Sequence, residues 1–106
     1  MRVLLFDGNN VHEEGKTQVT IRRGTKWSDL QIGTEVGIRA LGGNTIKVAT
    51  VSFIHRCSLE DIPQWLLDME HDPVCRSRGG LLGELTRVYG EGIPDYETMT
   101  VVGYTL

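Results

Sequence analysis

The chain lacks the features that mark several large protein classes. It has only two cysteines, Cys57 and Cys75, so at most one disulfide could form, which is too thin a framework for a small secreted domain and fits reduced thiols better. No run approaches the ~18 apolar residues that would span a bilayer, and no membrane association is expected. The apolar opening, Met1 to Phe6, is cut short by Asp7, so it falls below the length of a signal peptide and the expected compartment is the cytoplasm. There is no P-loop, no Gly-x-Ser-x-Gly elbow and no His-Glu-x-x-His pair, so those enzyme classes have no support. A basic excess is also missing. Eleven Lys+Arg stand against 14 Asp+Glu, a net charge of -3, which argues against sequence-blind binding to duplex DNA through many phosphate contacts.

What is present is the composition of an ordinary globular protein, 40 % hydrophobic and 24 % charged over 106 residues, enough for one modest core. No internal repeat, low-complexity tract or linker interrupts it, so residues 1–106 read as one domain. The charge is unevenly placed. Residues 1–58 carry eight basic and five acidic side chains, and residues 59–106 carry three basic and nine acidic. Two readings stand side by side: a chance distribution, or a basic cleft built by the first half with acidic groups at its rim.

Hydrophobic periodicity places strands at both ends. Val3 to Phe6 is a short apolar run, while 19–22 and 35–39 alternate apolar with polar residues as half-buried strands do. Leu41-Gly42-Gly43-Asn44 is a turn, leading to a strand over 46–54 whose two apolar faces mark it as central. A last strand covers 99–104. Between these the period becomes helical. Ser58 to Asp61 resembles a capping box, and Ile62, Trp65, Leu66 and Met69 share one face of a helix whose first turn Pro63 makes irregular. Leu81 to Tyr89 form a second helix, closed by Gly90. Short strands with two consecutive inserted helices give an α+β, mainly β fold: a small, closed or nearly closed β-barrel with two helices packed outside.

The densest polar segment runs from Gly15 to Gly24. There a turn glycine delivers Lys16, Thr17, Gln18, Thr20, Arg22 and Arg23 into one strand, a set of donors able to converge on an anionic or nucleobase-like ligand. A solvated edge strand would show the same charges. Trp27 follows, placed either to stack on a base or to plug the barrel end.

Gly15-Lys16-Thr17 with Thr20-Ile21-Arg22 resembles the G-x-K-T-x-T-I-R signature of the ASCH domain, a small barrel of the PUA-like superfamily. The resemblance continues in Gly33, in the helix ending at Glu70, in the second helix ending at the aromatic Tyr89, and in the closing Val101 to Tyr104. It implies a partner that is a nucleoside or single-stranded RNA, and no cofactor. Some family members are amidohydrolases that deacylate N4-acetylcytidine with a lysine, a threonine and a glutamate, here Lys16, Thr20 and Glu70, with Thr17, Arg22, Arg23, Trp27 and Tyr89 around the substrate. A lysine desolvated in a cavity could accept the threonine proton, and the glutamate could protonate the leaving nitrogen. Alternatives within the resemblance are a non-catalytic RNA-binding module and a ribonuclease acting on single-stranded RNA.

The spacing departs from the signature. Aligned on Thr20-Ile21-Arg22 without a gap, the lysine position falls on Thr17. With Lys16 held in place, a β-bulge near Gln18 or Val19 must absorb one residue, and this is the preferred reading. The position of Lys16 therefore discriminates: an ammonium beside the Thr20 hydroxyl means catalysis, one in solvent means binding alone. His55 with Cys57 and His71 with Cys75 supply zinc-type ligands, but no Cys-x-x-Cys or zinc-knuckle spacing is present, and no metal is expected.

Overall fold

The computed structural model describes all of residues 1–106. Its strands are β1 (Val3–Phe6), β2 (Thr17–Arg23), β3 (Glu35–Ala40), β4 (Lys47–Ser58) and β5 (Thr98–Thr105), and its helices are α1 (Gln64–Leu67) and α2 (Arg78–Tyr89). The strands form one mixed sheet in the order β1-β3-β4-β5-β2, with β1 parallel to β3 and every other pair antiparallel. The α+β, mainly β architecture read from the sequence is present, and β4 takes the central place its two apolar faces indicate.

The sheet does not close fully, so of the closed and nearly closed barrels expected it forms a loose, open one. β1 and β2 are both edges and do not pair with each other. Instead the chain after α1 approaches β2: the Val19 amide donates to Met69 O at 2.9 Å and the His71 amide to Val19 O at 3.1 Å. That single bridge between Val19 and Glu70 holds the carboxylate-bearing segment against one end of β2 and leaves the rest of the seam open.

Two apolar clusters lie on opposite faces of the curved sheet. Val19, Ile21, Met99 and Val101 pack under the helical side with Leu59, Ile62, Leu66, Leu67, Leu81 and Leu85. Leu4, Phe6, Val36, Ile38, Ala49, Val51, Val102 and Tyr104 form the other. A register shift between Val51 and Phe53 bends β4, and the Phe53 ring lies where a Cβ at Gly103 would stand. Only glycine lets the aromatic cover the strand so closely.

The first helix differs from its sequence pattern. Trp65 is 60 % exposed rather than part of the core. Pro63 adopts an extended conformation (φ -72°, ψ 154°) and divides the segment into a 3-10 turn at Leu59–Asp61 and the single turn α1. The helical phase restarts after the proline, and the adjacent pair Leu66 and Leu67 becomes the buried face. Ser58 donates to Asp61 Oδ2 at 2.7 Å rather than capping an amide. α2 follows the pattern closely: Ser77 caps Gly80 N–H, and Gly90 ends the helix at φ 73° in the left-handed region that a side chain would disfavour.

Candidate functional site

The open seam between β1 and β2 is the mouth of a small cavity of about 110 Å³. Leu5, Phe6 and Asp7 wall it from β1 and its exit, Thr20 to Arg22 from β2, Glu70 to Asp72 from the bridging segment, and Glu84, Val88 and Tyr89 from α2. Period-2 alternation along β2 puts Thr20 and Arg22 on one face. The Arg22 guanidinium lies over the Phe6 ring, 4.7 Å from its centroid, and its Nε donates to Thr20 Oγ1 at 3.2 Å. Burial pulls the Arg22 pKa below its ordinary value, against the charges of Tyr89, Glu70 and Tyr104. No carboxylate of the chain pairs with its terminal nitrogens.

Glu70 is 3 % exposed. Its Oε1 meets His71 Nδ1 at 2.6 Å, and Asn9 O faces His71 Nε2 at 3.0 Å. Both ring nitrogens thus face acceptors, the environment of an imidazolium. Burial opposes that charge, but the Glu70 hydrogen bond and charge outweigh it, so the His71 pKa is raised. Glu70 Oε2 accepts from no group of the chain. Beneath this pair His12 stacks on His71, centroids 5.0 Å apart and planes at 18°. Its Nδ1 meets the Tyr104 hydroxyl at 2.7 Å and its Nε2 meets Asn10 Oδ1 at 2.8 Å. A neutral ring satisfies both, donating to the amide oxygen and accepting from the phenol. Burial first, then the positive His71, Lys47 and Arg22, lower the His12 pKa to about 4. Burial also raises Tyr104, so it stays a phenol and a donor. Cys75 lines the same cavity, but burial and the neighbouring Glu70, Asp72 and Glu84 push its thiol to about 12, which makes it unreactive.

Of the residues singled out in the sequence, Thr20, Arg22, Glu70 and Tyr89 meet in this cavity. Lys16 does not. β2 pairs with β5 in unbroken register from Thr17 to Arg23, so the bulge expected near Gln18 is absent. Four extended steps along the chain separate Lys16 from Thr20 by about 13 Å, and the Lys16 ammonium pairs with Glu13 at 3.1 Å on the surface. Thr17 donates to or accepts from Thr105 Oγ1 at 2.9 Å, outside the cavity. Arg23 is held by Glu91 at 2.8 Å and Glu97 at 2.9 Å, while its amide donates to the Tyr89 hydroxyl at 3.2 Å, so it positions Tyr89. Trp27 packs at the edge of the second core cluster, between Arg2 and Lys26, and does not line the cavity. Of the two readings of the charge distribution, the basic cleft is not what lines this cavity, where Arg22 stands among Asp7, Glu70, Asp72 and Glu84. Glu70 and Asp72 are inside and the lysines outside. Asn9, His12, His71 and Tyr104 carry no sequence signal for this site: they are far apart in the chain, and only the bridge at Val19 and the fold of the 7–16 segment collect them.

No protein-family model and no curated protein matches the chain. Solved structures do share its architecture. The ASCH domain of Lactobacillus crispatus JV V101 superposes with a TM-score of 0.64 at 9 % identity, over 86 % of this chain. The chain has the fold of an ASCH domain. Protein EF3133 of Enterococcus faecalis V583, of the family DUF984, gives a TM-score of 0.62 at 7 % identity over 87 % of the chain. This ASCH-like domain spans 64 % and 61 % of the length of those two chains. No helix is long and apolar enough to cross a membrane.

Proposed function

We propose that this ASCH-like domain binds a nucleobase, free as a nucleoside or within single-stranded RNA, in the cavity between β1 and β2, and does not hydrolyse it. The observation that supports this reading is the free hydrogen-bonding capacity of two groups in one cavity, the half-buried Arg22 and the buried Glu70. The terminal N–H groups of Arg22 need an acceptor, and Glu70 Oε2 needs a donor. They do not pair with each other. A ligand that supplies both from one planar edge is what the site lacks, and base edges do so. Tyr89, 38 % exposed at the mouth, offers a face for stacking.

Turnover of N4-acetylcytidine would need a base beside Thr20. The only group bonded to its hydroxyl is Arg22, which cannot take a proton, and Lys16 is engaged with Glu13. Calorimetric titration with cytidine, N4-acetylcytidine and a mixed-sequence RNA octamer, followed by chromatography of the same samples, tests the reading. Binding that Arg22→Ala abolishes, with ligands recovered intact, is expected. Absence of binding overturns the proposal, and release of cytidine or cleavage of the octamer overturns its non-catalytic part.

A further inference from the structure

One backbone group in the seam stands out. Along the outer edge of β2, the Val19 N–H donates to Met69 O and the Val19 C=O accepts from the His71 N–H, and the Arg23 N–H goes to the Tyr89 hydroxyl. In an antiparallel pair the residues between these alternate in direction, and the register with β5 is unbroken. Thr20 and Arg22 therefore pair with β5, whereas Ile21 turns its N–H and C=O outward. Ile21 lines the cavity, and neither group has a partner among the turn, loop and side-chain hydrogen bonds of the chain. The Ile21 side chain is meanwhile fixed in the first core cluster, so this peptide is held rigidly. Buried main-chain groups are nearly always paired, and here the partners must come from the cavity.

We infer that the main chain of Ile21 is a specificity-determining reader of the ligand, resting on the nucleobase reading above. An N–H and a C=O side by side recognise a planar group carrying an acceptor and a donor side by side. In a nucleobase this is an unsubstituted lactam or amidine edge. Arg22 and Glu70 flank the reader with one more donor and one more acceptor. The site thus selects bases whose Watson–Crick edge is free and rejects those alkylated on it, and the selection is independent of the side chain at position 21.

An amide-to-ester replacement at Ile21, introduced by peptide ligation, removes this one donor. The donor removed makes no bond within the fold, while the Thr20 carbonyl, now an ester, accepts more weakly from β5; circular dichroism and urea unfolding check that the fold is kept. The wild type, labelled with 15N, and the ester variant are titrated with cytidine, uridine, adenosine and guanosine, and with N3-methyluridine and N1-methylguanosine. The expected result is a shift of the Ile21 amide resonance by at least one unmodified nucleoside, binding roughly 2- to 12-fold weaker in the ester variant, and no binding of the methylated pair. Nucleosides that bind both proteins equally without moving the Ile21 resonance overturn this inference while leaving the binding reading intact. A wild type that binds none of the nucleosides nor the RNA octamer overturns both.

Discussion

Lowering the pH from 7 to 4 should destabilise the fold through one ring, His12. The folded protein holds it neutral, with a pKa near 4 against 6.5 for an unperturbed histidine, because burial penalises the charged ring and protonation would place a second charge against His71. The unfolded chain protonates at about 6.5. Between these values the unfolded state binds the extra proton, so stability falls as pH falls through this window, and is unaffected by this ring above it. At 1.36 kcal/mol per unit of pKa the loss is about 3 kcal/mol by pH 4, a large part of the ~5–15 kcal/mol expected for a domain of this size. His71 acts in the opposite sense. Its folded pKa is raised, so its contribution is complete below about pH 6.5 and is lost as pH rises through the folded value. The two together place maximum stability near pH 6.5. Urea unfolding of the wild type and of His12→Gln at pH 7, 6, 5 and 4 measures the difference, since carboxylates titrate in both proteins. The wild type should lose about 3 kcal/mol more than the variant. Parallel profiles would refute the assignment of a neutral, buried His12.

Three further outcomes follow from the geometry. Leu66→Ala, which empties a fully buried position, should reduce stability by about 2–5 kcal/mol, whereas Trp65→Ala on the exposed side should change it by less than about 0.5 kcal/mol; chemical denaturation of the two variants gives the comparison. Cys75, with its thiol raised to about 12, should resist iodoacetamide at pH 8 in the native protein and react on unfolding, as mass spectrometry of the labelled peptides would show. Binding of single-stranded RNA should depend only shallowly on salt, with a log–log slope of about -1 or less in magnitude, because Arg23 is neutralised by Glu91 and Glu97 and Arg22 is the one unpaired cation in the cavity; a slope of several units would place the RNA on another surface.

The parts of this molecule that local chemistry decides were legible in the sequence. Alternation along Val19 to Arg22 gives β2 and correctly puts Thr20 and Arg22 on one face, the two-faced apolar run at 46–54 gives the central strand, and Gly90 ends α2 where the helical pattern stops. Trp65 was not legible, because a single proline rephases the helix and no periodicity count includes that reset. The one-residue discrepancy at Lys16 could be resolved only by the strand register, which shows no bulge. The histidine pair depends on contacts between segments some sixty residues apart, such as His71 with Asn9, and the open seam is a property of the sheet as a whole. Glu70 was found by resemblance, but what makes it available is the Val19 bridge.

The most direct test of nucleobase binding in the seam is a 1H–15N correlation spectrum of the protein, recorded with increasing single-stranded RNA octamer. The amides that shift should be those of Thr20 to Arg22, Glu70 to Asp72 and Tyr89, and Arg22→Ala should abolish the shifts. Shifts confined to other surfaces, or none at millimolar RNA, would contradict binding in this cavity.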